Sequence, residues 1–463
     1  MRRLLLSSAL LAGALVVAAR ADALPVIPGG AGFGMDTPAG RGGAVYKVTN
    51  LNASGTGSLK ACIDGTGPRV CVFEVSGTIK LSADLPIRND YLTIAGQTAP
   101  SPGIMLRGAA LKVTASNVLI QHIRIRVGDD ATGPSFDNRD ALKIEGTTTK
   151  PVRNVVIDHC TFSWAIDETL SIWGPHDNIT LSNNFFTEAL NDSKHPNYNG
   201  VGTIPHGYGV IVGISPGNSI TMVGNLFAHT VERNPLSRAS ELVFVNNLVY
   251  DRGTMDMQLQ SDGVAATKST VLKNVFIKGP SFSRDTSPIY ILTGPGSWSV
   301  GTGSRVFQSG NLSENYARAL VTLTGGDTIA GLLSLDAYPV WNSGMTMVQT
   351  YDNGVYDKVL NGAGARPGDR DTVDRRIVNQ VKNRNGRIIN CVASNGTTRC
   401  VKNAGGWPTV ANNRRTLTLP GNPNTVTSSG YTNLELWLQS LDQSASGVVQ
   451  AKSPAAPLSL TAQ

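Results

Sequence analysis

The sequence predicts an all-β fold, a single-stranded parallel β-helix, from three observations. Glycine is frequent, with 50 in 463 residues, and charged residues make up only 16% of the chain. Helical bundles hold few glycines inside their elements and coiled coils carry far more charge, so this composition favours many short strands and turns. In addition, apolar strand-length segments recur in the middle of the chain, and one alignment column through them is rich in asparagine.

The recurring segments align without gaps over about ten residues each. They are NVLIQHIRIR (117–126), NVVIDHCTFS (154–163), NITLSNNFFT (178–187), SITMVGNLFA (219–228), ELVFVNNLVY (241–250) and the less regular STVLKNVFI (269–277), with earlier examples in VCVFEVSG (70–77), YLTIAG (91–96) and ALKVTAS (110–116). Apolar residues at alternate positions indicate strands, and irregular spacing between them is typical of a solenoid with variable loops.

The asparagine column gives this solenoid a physical basis. Its members are Ile123, Cys160, Asn184, Asn225, Asn247 and Asn274. An asparagine at the same turn of successive coils can hydrogen-bond the coils above and below, which satisfies a buried bend. A β-sandwich would space its strands more evenly and would lack such a column, so we favour the β-helix.

The two ends of the chain differ from this repeating part. Arg2 and Arg3 precede an apolar run that reaches Ala19, and Ala21-Asp22-Ala23 has the form of a cleavage site, so we expect residues 1–23 to be a secretory signal peptide. The run is too short for a membrane anchor. We therefore expect a secreted protein, extracellular or periplasmic, with the β-helix in residues 24–345.

Residues 346–463 are expected to form a C-terminal segment that packs on the solenoid. In 371–384 the apolar residues share one helical face, Asp371 can cap the N-terminus, and Gly386 can end the helix. Residues 433–441 can form a second, short amphipathic helix.

Five cysteines are consistent with an exported chain. Cys62 and Cys71 bracket one short turn-rich segment and Cys391 and Cys400 bracket another, which predicts two local disulfides. Cys160 remains and is expected to be a buried free thiol. The cysteine and histidine spacings do not match a zinc site.

Three segments bring charged residues next to predicted strands: 137–143, 157–171 and 232–238. Asp140, Asp167 and Arg233 occupy comparable places relative to their strands. If the coils stack regularly, these three side chains share one cleft. Asp158 and His159 lie within a strand pattern, and we expect them to serve the structure.

The sequence resembles the pectate lyases of polysaccharide lyase family one, especially a branch similar to pectate lyase C. The resemblance rests on RDALKIEG (139–146), VVIDHCTFSWAIDETLS (155–171), RNPLSR (233–238), AGRGGAVYKVTNLNASGTGSL (39–59), LTIAGQTAP (92–100), LNGAGARPGDRDTVDRRIV (360–378) and GYTNLELWL (430–438). It implies a right-handed β-helix whose catalytic domain is 24–345, and calcium-dependent β-elimination of α-1,4-polygalacturonate.

The resemblance also implies roles for single residues. Asp140 and Asp167 would bind Ca²⁺, Arg233 would be the base, and Arg238 would bind a substrate carboxylate. The family often has a carboxylate four residues after the second aspartate, where this chain has Ser171. Either Glu168 or substrate and water would complete the metal shell, or calcium would bind more weakly before substrate arrives.

The substrate-binding lysine of the family has no clear counterpart. Residues 192–213 offer Lys194, His206 and Tyr208 for that role, and we expect Lys194 and Tyr208 to bind substrate.

These residue types suit an elimination. Removing a proton next to a carboxylate builds negative charge there, which an oxygen-bound hard cation stabilises, and arginine binds carboxylates with a two-pronged fork. Because arginine holds its proton far above neutral pH, a base role for Arg233 predicts a strongly alkaline activity optimum.

Two other functions stay open on the sequence. A polygalacturonase-like hydrolase could use the same scaffold, although closely spaced aspartates in adjoining strands are not obvious. A non-catalytic β-helix that binds polysaccharide is the third possibility. A net charge of +7 without clusters disfavours nucleic acid as a partner, and we expect a monomer without membrane association.

Overall fold

The computed structural model describes residues 24–294, 296–317, 319–323, 354–391 and 400–447. Its strands stack in parallel, coil upon coil, which confirms the predicted parallel β-helix. The predicted signal peptide lies outside the described residues. So does the predicted boundary at 345, because residues 324–353 are not described. No helix within the described ranges is long and apolar enough to cross a membrane.

The strands form three faces. The first face contains Ala44–Val48, Arg69–Phe73, Leu92–Ala95, Val118–Gln121, Val152–Asp158, His176–Ser182, Lys268–Leu272 and Arg305–Ser309. The second contains Leu85–Ile87, Leu111–Val113, Leu142–Glu145, Glu168–Trp173, Met257–Leu259, Ile289–Ile291 and Val321–Leu323. The third contains Gly77–Lys80, Ile104–Arg107, Ile123–Arg126, Thr161–Ser163, Phe185–Thr187, Leu226–Ala228, Leu248–Tyr250, Val275–Ile277 and Leu312–Glu314.

Two long strands, Tyr208–Val223 and Leu236–Val245, join the first and second faces into one hydrogen-bonded sheet. The third face is a separate sheet. A small additional sheet pairs Leu190–Asn191 with Ile389–Asn390. In the described ranges the α-helices are Leu59–Ile63, Val355–Gly362, Thr372–Lys382, Cys400–Asn403 and Asn433–Ala445, and short 3₁₀ turns span Gly96–Thr98, Phe136–Asn138 and Pro367–Asp369.

Each of the six recurring segments between 117 and 277 contains two strands, whereas the alternation of apolar residues alone predicts one. A corner residue with positive φ separates the strand of the first face from that of the third. His122, His159, Asn183 and Asn246 occupy this corner, with φ of 56°, 48°, 54° and 59°. Asparagine and histidine adopt this left-handed conformation more readily than bulky apolar residues. The chain therefore turns sharply without interrupting the apolar pattern.

The asparagine column is a continuous chain of buried hydrogen bonds directly after these corners. Cys160 N–H donates to Asn184 Oδ1 at 2.8 Å. From Asn225 onward, each side-chain oxygen accepts both the backbone and the amide N–H of the asparagine one coil earlier, at 2.8–3.1 Å. Each amide also donates to a strand carbonyl. The column extends one coil beyond the predicted set, to Asn311.

The first helices of the C-terminal segment cover the third face. Helix Thr372–Lys382 begins at Asp371, which accepts the backbone N–H groups of Val373 and Asp374 as predicted. Arg126, from the third face, donates to Asp371 and Asp374 at 2.6 Å each. These charges are buried but paired, so they anchor the helix to the solenoid.

The last helix packs on the first face. Asn433–Ala445 is longer than the predicted 433–441, and Thr432 and Glu435 form a capping box at its start. Leu434 and Leu438 are buried against Val70 and Val72. The two predicted disulfides, Cys62–Cys71 and Cys391–Cys400, are present, and Cys160 is a buried free thiol.

A cluster of buried charged groups holds the last helix in place. His159 Nδ1 lies 2.7 Å from Asp158 Oδ2, and the His122 ring stacks on His159 with centroids 5.0 Å apart. His122 Nε2 contacts Asp442 Oδ1 of the last helix at 2.5 Å. Asp158 and His159 thus serve the structure, as expected. Burial opposes protonation of His159, but the neighbouring Asp158 outweighs it and raises its pKa to about 9.

Replacing Asn225 with alanine should lower the free energy of unfolding by about 3 kcal/mol, because the change leaves the buried N–H of Asn184 without its acceptor and removes the amide donor to Leu181. Chemical denaturation measures this difference. Asn52→Ala, at an exposed asparagine, is the matched control. Equal unfolding free energies for the two variants would contradict a structural role for the column.

The ion pair of His159 should make stability depend on pH. Unfolded histidine has a pKa of about 6.5, so the pair stabilises fully below that pH and its contribution disappears as pH rises through about 9. We expect the difference in unfolding free energy between the native protein and His159→Gln to shrink by a few kcal/mol over this range. Subtracting the unfolding free energy of the variant from that of the native protein removes the contribution of the titrating groups that both proteins share. A gap that stays constant from pH 6 to pH 10 would refute the assignment.

Candidate active site

Parallel pairing places three charged or polar residues in one column at the start of the second face. Leu142 pairs with Leu170. Asp140 and Glu168 each lie two residues before these partners, so they stand side by side. Glu168 pairs in turn with Tyr208. The column therefore brings together residues that are far apart in sequence, and Asp167 and Arg233 lie at its edge.

The acidic residues form one cluster. Carboxylate oxygens of Asp140, Asp167 and Glu168 lie within 4.8 Å of one another. Asp140 accepts the backbone N–H of Glu168 at 3.2 Å on one oxygen and the hydroxyl of Ser171 on the other. Ser171, which occupies the place of a family carboxylate, thus still faces the cluster. The predicted metal ligands converge, and their donor atoms are all oxygens.

Burial and the charges of neighbouring groups shift the pKa values of these three carboxyl groups. Burial, and then the charges of Glu168 and Asp167, raise the pKa of Asp140 well above its ordinary value. Burial, and then Glu168, raise the pKa of Asp167 to about 9. Burial also opposes ionisation of Glu168, but His206 and Arg233 outweigh it and lower its pKa to about 2. Without a cation the cluster thus resists full ionisation.

Arg233 is held against the acidic cluster, as the sequence predicted. One guanidinium nitrogen contacts Glu168 Oε1, and the guanidinium carbon lies 4.2 Å from the centre of the Tyr208 ring. The side chain is 18% exposed, so it is reachable from solvent. Burial, and then the charge of Glu232, raise the pKa of Tyr208 to about 12, so this tyrosine stays neutral beside the guanidinium.

Arg238 lies farther along the same face. Its guanidinium stacks at 4.0 Å from the centre of the exposed Trp298 ring and donates to Gln260 Oε1 at 3.2–3.3 Å. Burial, and then the nearby charge of Arg233, lower the pKa of Arg238. The positive charges of the two arginines are therefore close enough to repel each other.

Lys194 is placed apart from this cluster. Its Nζ donates to the carbonyl of Asp129 at 2.9 Å and lies 5.1 Å from the centre of the Phe136 ring. Of the residues predicted to bind substrate, Tyr208 thus lies against Arg233, and Arg238 lies near Arg233. Lys194 instead contacts the loop that contains Asp129.

Two histidines lie beside Asp167. The sequence offered His206 as a candidate for substrate binding but gave no role to His195. His206 Nε2 lies 2.9 Å from Asp167 Oδ1, and His195 Nε2 lies 3.8 Å from the same oxygen. The two rings stack with centroids 4.0 Å apart. His195 lies in an irregular loop, where strand periodicity gives no position. One signal in the sequence could have pointed to it: two of the six histidines, His195 and His206, lie in this one loop.

Comparison with known proteins places this arrangement in a family context. No protein-family model matches the chain. Two relatives, each named "Probable pectate lyase C", come from Aspergillus fumigatus and Neosartorya fischeri. Each is 31% identical to this chain, and each alignment covers 94% of this chain and 98% of the relative.

A solved structure resembles the fold. The crystal structure of jun a 1, the major allergen from cedar pollen, aligns with a TM-score of 0.51 at 18% identity, covering 73% of this chain and 92% of that chain. At this identity the likeness supports the parallel β-helix alone.

Proposed function

Because the chain belongs to the pectate lyase family, and is therefore a polysaccharide lyase, we propose that it is a secreted enzyme that cleaves α-1,4-polygalacturonate by calcium-dependent β-elimination. The observation that carries this proposal is the convergence of Asp140, Asp167 and Glu168 with Arg233 at one edge of the second face. The predicted signal peptide in residues 1–23 supports secretion.

The acidic cluster fits a hard divalent cation. Its three carboxylates offer oxygen donors within 4.8 Å of one another, and Ca²⁺ is bound by carboxylate oxygens in flexible geometry. Burial and the repulsion between these carboxylates raise the pKa values of Asp140 and Asp167, and a bound cation would relieve that repulsion. Bound calcium would stabilise the negative charge that develops on a uronate carboxylate when the neighbouring carbon loses its proton.

In this proposal Arg233 moves the proton. In its neutral form the side chain is a guanidine, and one of its nitrogens accepts the proton from the carbon next to the uronate carboxylate to give the guanidinium ion. The bond from the adjoining carbon to the glycosidic oxygen then breaks, a carbon–carbon double bond forms, and the leaving oxygen takes a proton from water. Stacking on Tyr208 fixes the direction of the guanidinium plane.

Arg238 suits the binding of a second uronate. It is pre-oriented by Trp298 and Gln260, and its fork matches a carboxylate in a bidentate manner. Tyr208, adjacent to Arg233, is proposed to contact the same sugar chain. A substrate role for Lys194 stays a prediction, because its ammonium group is bound to Asp129 in this structure.

Polygalacturonate should yield an unsaturated product that absorbs ultraviolet light when calcium is present, and a chelator should abolish the signal until calcium is restored. Asp140→Asn should need at least about tenfold more calcium for half-maximal activity, because it removes a charged oxygen ligand. Asp262→Asn, at an exposed aspartate, should behave like the native enzyme. New reducing ends without ultraviolet absorbance would mean hydrolysis, and binding without either signal would mean a non-catalytic protein.

Arg233→Lys should lower kcat by at least about 100-fold at saturating calcium, since a base contributes roughly that factor or more. Arg153→Lys, at an exposed position on the first face, is the control. The native activity should rise into the alkaline range, because arginine becomes deprotonated only at high pH. Near-native turnover of Arg233→Lys at every pH would rule out Arg233 as the base.

A further inference from the structure

We propose that Trp298 binds a further sugar ring of the acidic polysaccharide, farther from the bond that breaks than the carboxylate held by Arg238. The ligand of this position is a uronate unit of the same chain. The inference rests on the proposed function, because it assigns another part of that substrate to a residue outside the reactive centre.

Trp298 lies beside the same face as Arg238, two coils further along the solenoid. The strand Leu236–Val245 pairs with Met257–Leu259, which pairs in turn with Ile289–Ile291, shortly before Trp298. The guanidinium of Arg238 reaches across the intervening coil and stacks on the indole, with its carbon 4.0 Å from the ring centre. Trp298 therefore adjoins the position proposed for a uronate carboxylate.

The indole of Trp298 is open to solvent on one side. Trp298 is 49% exposed, although it is a large apolar side chain. Because Arg238 stacks on one side of the ring, the exposed area lies on the other side and along the edge. Aromatic rings bury a large contact area against apolar groups, and the face of a sugar ring presents C–H groups. An open aromatic face beside a cation thus suits a sugar acid, which carries both a C–H face and a carboxylate.

The backbone around Trp298 is fixed before any ligand binds. The N–H of Ser261 donates to the carbonyl of Trp298 at 3.2 Å, and the N–H of Gly263 donates to the carbonyl of Ser299 at 2.8 Å. These bonds tie the loop to the preceding coil, and the stacked guanidinium of Arg238 holds the plane of the indole. A contact surface that is already ordered loses little conformational freedom on binding.

The charges around Trp298 suit an anionic ligand. Within the described part of the chain, the guanidinium of Arg238 donates to one acceptor, the neutral Oε1 of Gln260. Its positive charge therefore has no carboxylate of the protein bonded to it there. Asp262, the acid of the adjoining turn, directs Oδ1 at two backbone N–H groups of its own turn, at 2.7 and 2.9 Å.

Arg238 and the open side of Trp298 contact different sugars of one chain. The guanidinium lies 4.0 Å from the ring centre on one side. A sugar that packs on the other side lies about 4 Å from the indole, and hence about 8 Å from the guanidinium. The carboxylate of that sugar does not span this distance through the indole, so Arg238 is left for the carboxylate of a neighbouring uronate.

The test is a calorimetric titration of the full chain with hexagalacturonate in the presence of Ca²⁺, in an Arg233→Lys background that does not consume the ligand. Trp298→Ala should weaken binding about fivefold, which is the scale of one aromatic contact. Trp298→Phe should bind like the parent, because it keeps an aromatic face. Trp298→Gln should lose as much as Trp298→Ala, and it serves as the second variant if thermal unfolding shows that the alanine variant is not folded.

Tyr46→Ala is the control, because Tyr46 is an aromatic residue of the first face that is 37% exposed. It should bind hexagalacturonate like the parent. Unchanged affinity in the alanine and glutamine variants of Trp298, or an equal loss in Tyr46→Ala, would overturn the inference. Weakened binding in the Trp298 variants without lyase activity in the native chain would overturn only the proposed function, and lyase activity with unchanged binding would overturn only this inference.

Discussion

The register between successive coils is the constraint on which the rest of the structure depends. The asparagines from Asn184 to Asn311 enforce it, because from Asn225 onward each side-chain oxygen accepts two N–H groups from the coil before it. A slip by one residue would turn every apolar side chain of a strand outward and would leave these amides buried without partners. Apolar packing between coils would by itself tolerate small shifts in register, whereas the hydrogen bonds of the asparagine column do not.

The register also determines which side chains meet at the site. Asp140, Glu168 and Tyr208 come from three consecutive coils and stand in one column because their strands pair in parallel without a slip. Repelling carboxylates in a buried place are unfavourable on their own. The apolar core and the asparagine column provide the stability that keeps them together.

The parts of this arrangement that repeat were visible in the sequence, and the parts that do not repeat were not. The asparagine column could be found because each coil needs the same donor and acceptor at the same turn. The corners were missed because His122, Asn183 and Gly224 all adopt positive φ there without a common side chain. Asp140 and Asp167 could be placed from their strands, but His195 and Lys194 lie in a loop whose path follows no period.

The centre places acids and arginines side by side, and Arg233 and Glu168 form an ion pair between the two groups. Burial, and then repulsion between neighbouring carboxylates, raise the pKa values of Asp140 and Asp167, and burial, and then the charge of Arg233, lower the pKa of Arg238. A cation alone would leave Arg238 facing a neutral partner, Gln260, and a simple anion would be repelled by the acids. A polyuronate that arrives with divalent ions supplies both, since its carboxylates can face the arginines while the ions face the acids. This double complementarity supports a polyanionic sugar as the substrate more strongly than any single residue does.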